Sequence, residues 1–327
     1  MQLSCAFATS VDTPEHITIA EDLGYERAWC YDSPALYSDV WMVLAQAAAR
    51  TTTIGLGPGV LVPSLRHPMV NAAAIATLAH LAPGRTAVAV GAGFTGRYVL
   101  GQRPMRWADV ADYVRCLRAL LRGEEATWEG ATVRMLQPQG FTAARPVDVP
   151  ILIGVGGPKG LAVAKELADG AFCAAQLTPG ASELRHVALL AFGTVLEEGE
   201  AASSPRVRAA AGHAVAVVYH AIYEQGGDAV DGFPGGQAWR EATEAVAAER
   251  RHLAVHEGHL VEANERDALA LDAAPDLAAS LTLTGTADDV RARVEALALT
   301  GVTELAYQPA GPDIRRELEA FARAVGR

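Results

Sequence analysis

Residues 53–68 read TIGLGPGVLVPSLRHP. Thr53-Ile54-Gly55-Leu56 starts as a strand buried on both faces, a short β-branched and apolar run. Glycines 55, 57 and 59 and Pro58 then give up strand propensity at its carboxyl end. Glycine costs conformational entropy and proline removes a backbone donor. Such a run therefore suits a main chain that approaches a ligand closely or holds an unusual torsion. The stretch resumes as an apolar step and ends on Arg66-His67-Pro68, expected to be exposed before a helix. Ligands of α/β folds sit at the carboxyl ends of the strands, so the stretch reads as a cofactor wall.

Outward from it, short apolar runs alternate with amphipathic helical patterns. Strands are expected at 2–8, 27–31, 53–60, 85–91, 150–155, 170–174, 211–218 and 303–308. Helices are expected at 14–23, 39–50, 69–81, 105–122, 158–168, 182–198, 237–256 with 286–299, and 312–325. Eight βα units imply a parallel sheet with right-handed crossovers that closes into a (β/α)8 TIM barrel. Two segments exceed the minimal unit. Residues 127–133 (TWEGATV) suit a small hairpin, and 224–285 form an insertion near the seventh strand.

The chain of 327 residues is half apolar and carries a net charge of −11. No Lys/Arg run offers a basic face, so nucleic acid is not an expected partner. Cys5, Cys30, Cys116 and Cys173 are isolated, which suits reduced thiols rather than a disulfide framework. No apolar run approaches the roughly 20 residues that span a bilayer, and Asp12, Glu15 and His16 interrupt the amino terminus. A soluble cytoplasmic protein without a membrane partner is expected.

Gly91-Ala92-Gly93-Phe94-Thr95-Gly96 matches G-x-G-x-x-G after a strand. Three βα units precede it and no acid follows at a second strand tip, so a glycine floor under a flat ring fits better than a dinucleotide fingerprint. Gly154-Val155-Gly156-Gly157-Pro158-Lys159-Gly160 opens a helix with free amides at its positive end, a phosphate site or a plain tight turn. Asp32 falls at the tip of the second strand, where a carboxylate handles a proton or caps the next helix. His252, His256 and His259 invite a metal, but His256-Glu257-Gly258-His259 is one residue short of H-E-x-x-H. Substrate-pocket lining is expected there, with no metal; His213 and His220 are left open.

With these residues in view, the chain resembles the bacterial luciferase-like monooxygenase family, in particular its coenzyme F420-dependent branch typified by methylenetetrahydromethanopterin reductase. The resemblance rests on AEDLGYERAWCYD (20–32), TIGLGPGVLVPSLRHP (53–68), ATLAHLAPGRTAVAVGAG (76–93), VPILIGVGGPKGLAVAKELADG (149–170) and GTADDVRARVEALALTGVTELAYQPAGPD (285–313). It implies one luciferase-like TIM-barrel domain over 1–327, a cis Gly59-Val60 peptide, and a homodimer. It also implies that Asp32, Gly59, Val60, Leu61, Ala92 and Gly93 line a deazaflavin ring, and that Val155, Gly156, Gly157 and Gln176 meet its phosphate.

Two departures bear on chemistry. Ser33 stands where several deazaflavin enzymes have a histidine after the acid, and Phe94 stands where the sugar-phosphate branch has a glutamate. Glucose 6-phosphate is therefore not the expected substrate. The reading is an oxidoreductase that moves hydride between F420 and an unidentified small organic substrate, with Asp32 or His256 handling the proton. An FMN-dependent monooxygenase and a non-catalytic flavin-binding protein are the alternatives.

Overall fold

The computed structural model describes all of residues 1–327. Eight strands form one sheet: β1 (Gln2–Phe7), β2 (Arg27–Cys30), β3 (Gly55–Pro58), β4 (Val88–Val90), β7 (Ile151–Val155), β8 (Gly170–Ala174), β9 (Val187–Phe192) and β10 (Glu304–Gln308). β5 (Ala126–Trp128) and β6 (Ala131–Val133) are the expected antiparallel hairpin. The sheet runs β3-β2-β1-β10-β9-β8-β7-β4, with parallel pairing from strand to strand.

Its two ends meet. Leu56 donates to Arg85 O at 2.7 Å and accepts from Ala87 at 3.1 Å, while Leu61 donates to Ala89 O at 2.7 Å and accepts from Gly91 at 2.9 Å. These bonds join β3 to β4 and close the TIM barrel that the alternation predicts. Gly57 makes the junction possible, because a Cβ there would lie 1.8 Å from the Ala87 carbonyl oxygen.

The expected seventh strand is a correction. Residues 211–218 lie within the helix Pro205–Gly226, and the strand is Val187–Phe192, inside a stretch expected to be helical. The reason is burial. Val187–Phe192 is buried at every position, whereas the helix is buried around much of its circumference and so lacks a clean 3.6 period. A short apolar run cannot distinguish these cases. Ser204 caps the helix by accepting from Val207 N, and Pro205 takes the first turn, a start signal more local than the AVAVV alternation.

Two compact units emerge. The first comprises Met1–Gly96, Arg103–Leu190 and Gly301–Ala306; the second comprises Arg97–Gln102, Ala191–Thr300 and Tyr307–Arg327. The insertion after β9 supplies the second unit's core, in which Val215, Tyr219, Val230, Trp239, Val255 and Leu271 pack together. No helix is long and apolar enough to cross a membrane.

Within the first unit, Glu304 at the start of β10 is a fully buried carboxylate. It accepts from Arg27 Nη1 at 3.0 Å, Trp29 Nε1 at 2.7 Å and His186 Nε2 at 2.6 Å. Burial alone would raise its pKa, but the His186 hydrogen bond and the Arg27 charge hold it down to about 2. A carboxyl lowered in the folded chain stabilises folding above its unfolded value, and that stability is lost as pH falls toward the folded value. Glu304→Gln is expected to lower stability by about 3–5 kcal/mol above about pH 5. The gap from wild type should narrow between about pH 4.5 and 2. Urea unfolding across pH checks this, and a gap that does not change with pH would refute it.

Candidate functional site

Around the ring, the tips of β8, β7, β4, β3 and β2 are consecutive, so the sequence-derived candidates of the first unit fall on one arc at the carboxyl ends of parallel strands. β3 stops at Pro58, and the Gly59-Val60 peptide directly after it is cis, as the resemblance implies. Gly59 donates to Cys30 O at 2.8 Å, and Leu61 rejoins β4 through a bridge to Val90. The detour leaves Val60 half-buried between two glycine motifs. A Cβ on Gly91 would stand 2.7 Å from Val60 Cγ2, and one on Gly154 would stand 3.0 Å from Val60 Cγ1.

The leading glycines of GAGFTG and GVGGPKG therefore make room for Val60. Gly160 likewise makes room for Trp107, since a Cβ there would meet the indole at 2.6 Å. Gly156 and Gly157 differ, because a Cβ on either would meet nothing within 4 Å. Gly157 is extended and caps the helix Pro158–Leu167, whose first amides lack intrahelical acceptors. Lys159 is exposed in the first turn. Val155 is buried, and its carbonyl accepts from Thr178 Oγ1 at 3.2 Å. Gln176 is exposed just past β8, next to Ala175 in the left-handed region. Ala92 is half-buried, its carbonyl held by Met105 N at 2.9 Å, and Gly93 uses a φ of +80°.

Asp32 is buried two residues past β2 and does not cap the next helix; Asp39 does, accepting from Trp41 N and Met42 N. Arg66 is not exposed as expected. Its Nη1 donates to both Asp32 oxygens at 2.6 and 2.8 Å, and its Nη2 to Asp39 at 2.8 Å. The Arg66 carbonyl accepts from Tyr113 Oη, which in turn accepts from Asn71. Burial pushes the Asp32 carboxyl above its ordinary range, against the hydrogen bonds and charge of Arg66. Asp39 is lowered, because the Arg66 and amide hydrogen bonds outweigh its burial. The sequence signal for Arg66 was a lone cation ending an otherwise apolar wall.

His256 belongs to the second unit and is fully buried. Its Nδ1 faces His259 Nδ1 at 3.5 Å, and its Nε2 faces Glu224 at 3.3 Å. Burial lowers its pKa, opposed by the nearby Glu224 carboxylate. His220 joins this cluster, whereas His252 lies against Gly101.

The first-unit arc suits a flat group with an anionic tail. Val60 and Ala92 offer an apolar wall, Gly156-Gly157 an open cradle on a positive helix end, and Asp32 a buried carboxyl with raised proton affinity. Residues 9–304 match the family model described as luciferase-like monooxygenase. The chain is 27% identical over 330 residues to 5,10-methylenetetrahydromethanopterin reductase from Archaeoglobus fulgidus, covering 95% of this chain and 93% of that one. It is 38% identical over 134 residues to an F420-dependent glucose-6-phosphate dehydrogenase from Nakamurella multipartita, 39% of each chain. The solved coenzyme F420-dependent tetrahydromethanopterin reductase from Methanopyrus kandleri superposes with a TM-score of 0.65 at 20% identity, covering 99% of both chains.

The wedge can be tested without any ligand. Gly91→Ala is expected to destabilise by about 1–3 kcal/mol through its clash with Val60, and Val60→Ala in the same chain to recover part of that loss. A double-mutant cycle in urea would measure the coupling; additive effects would sink the explanation.

Proposed function

Because the chain belongs to the luciferase-like monooxygenase family, we propose that it is an F420-dependent oxidoreductase acting on a small organic substrate in the cytoplasm. The observation that carries this reading is the placement of three features on one arc of strand tips: the Gly59-Val60 detour after β3, the open Gly156-Gly157 cradle after β7 and the Asp32 carboxyl after β2. When bound, F420 supplies a carbon centre that gives or takes hydride.

In this reading the chain's own residues bind, orient and move a proton. The helix amides after Gly157, with Lys159 beside them and Gln176 on the next strand tip, hold the phosphate of the tail. Gly59, Val60, Leu61, Ala92 and Gly93 back the ring and exclude water from one face, so that orientation provides much of the acceleration. Asp32 is the proton carrier. Arg66 fixes the position of its carboxylate and Asp39 anchors Arg66 from the other side. His256, the other carrier suggested by sequence, has its ring nitrogens turned toward His259 and Glu224. A homodimer is the proposed assembly, with exposed Met42 and Val70 on neighbouring helices as apolar surface available to it.

Fluorescence titration of the purified chain is expected to show tighter binding of F420 than of FMN; the reverse order, with oxygen consumption on reduced FMN, would establish the monooxygenase chemistry that the family description names. Asp32→Asn should lower turnover by about 10²–10⁴-fold with cofactor affinity retained. Arg66→Ala removes the cation that opposes the effect of burial on Asp32. The acidic limb of the pH–rate profile should therefore move to higher pH, and a limb that stays put would remove Asp32 from the mechanism.

A further inference from the structure

The second unit holds a histidine cluster that the proposed oxidoreductase chemistry does not use. His220 comes from the helix Pro205–Gly226, His256 ends the helix Arg251–His256, and His259 lies in the next turn. All three are buried, at 0, 0 and 2% exposure. Their Nδ1 atoms converge: His220 Nδ1 lies 2.9 Å from His259 Nδ1, and His256 Nδ1 lies 3.5 Å from the same atom. One ligand atom from each ring lies within 4.8 Å of the other two.

We propose that His220, His256 and His259 bind a divalent transition-metal ion of the zinc type through their three Nδ1 atoms. Zinc–nitrogen bonds of about 2.0–2.1 Å place tetrahedral ligand nitrogens about 3.3–3.4 Å apart, and the separations of 2.9 and 3.5 Å bracket that spacing.

The surroundings of the rings argue the same way. His220 Nε2 lies 3.0 Å from Asp267 Oδ1, which also accepts from Trp239 Nε1 at 2.9 Å. The other Asp267 oxygen accepts from Asn264 N at 3.1 Å. His256 Nε2 faces Glu224 Oε1 at 3.3 Å. The Asp267 carboxylate behind His220 keeps that ring's proton on Nε2 and turns its Nδ1 lone pair inward, the outer-shell arrangement that metal-binding histidines use, and Glu224 sets a second carboxylate beside the His256 ring. The His220 lone pair and the His256 Nδ1 both face one third nitrogen, an arrangement that a positive centre between them would satisfy. A single proton on His259 Nδ1 would be shared across 2.9 and 3.5 Å, whereas a cation serves all three nitrogens at once. The charges of Asp267 and Glu224 match a divalent ion, and imidazole donors suit the zinc class over calcium or magnesium.

The local spacing His256-Glu257-Gly258-His259 does not make a zincin motif, which is why the sequence reading expects no metal. The third ligand lies far away in the chain, on the helix Pro205–Gly226, part of which has the alternation of a strand. Such an ion would clamp the helix Pro205–Gly226 to the turn after His256. Through Asp267 it would also reach the helix Glu265–Ala273.

The test uses the full chain and needs no cofactor, so it is independent of the F420 reading. Metal-free protein is titrated with zinc and with cobalt(II), followed by calorimetry, visible absorption and elemental analysis after dialysis. The expected result is one tightly held ion per chain, a cobalt spectrum of tetrahedral type, and a higher melting temperature with zinc. His220→Gln and His259→Gln should abolish stoichiometric binding, and Asp267→Asn should weaken it by about 10–100-fold. Wild-type protein that retains no zinc and melts at the same temperature with or without it would overturn the proposal, as would His259→Gln protein that keeps a full equivalent. If a histidine variant fails to fold, the wild-type cobalt spectrum still decides.

Discussion

Closing eight strands into a ring leaves no room for a side chain at residue 57. A Cβ there would stand 1.8 Å from the Ala87 carbonyl oxygen, a distance no rotamer relieves because the obstacle is backbone. Once β3 and β4 meet that closely, the chain beyond Pro58 detours across the tip of the strand before Leu61 can rejoin β4. The detour carries Val60 into the space above β4 and β7. Gly91 and Gly154 then have to lack side chains, so one close approach propagates across three strands.

Two buried carboxylates flank β2 and are treated in opposite ways. Glu304 meets Arg27 and Trp29 of that strand and receives three donors, which keep it ionised. Asp32, past the other end of the strand, receives a guanidinium that it shares with Asp39 and a long bond from Val62 N, and burial raises its proton affinity. This contrast matches the usual division of a barrel. The amino-terminal face holds the strands together, and the carboxyl-terminal face keeps a group whose protonation can change.

Much of the fold was legible because a parallel strand buried on both faces is a short apolar run between helices, and seven such runs stood where expected. The exception is informative. GHAVAVVYH and VALLAF look alike by composition, and which becomes the strand depends on burial around the whole segment rather than on period. Asp32 and the glycine segments lie at strand ends, a placement that strand boundaries in the sequence already imply. Arg66 reads as a surface cation, because nothing local says that its guanidinium turns back to a carboxylate 34 residues earlier. In sequence His256 and His259 neighbour His252, whereas in the fold they meet His220.

The sequence by itself determined the barrel, its strand tips and the stretch that lines them, since these depend on periodicity, glycine, proline and the helix-start signals that any short window carries. Tertiary structure alone decided the purpose of each glycine, the partner of each buried charge and the company each histidine keeps. Gly91 and Gly156 are the same residue to a sequence, yet one accommodates Val60 and the other faces open space. The difference is set by atoms that lie many residues away along the chain, and only folding brings them within van der Waals or hydrogen-bonding range.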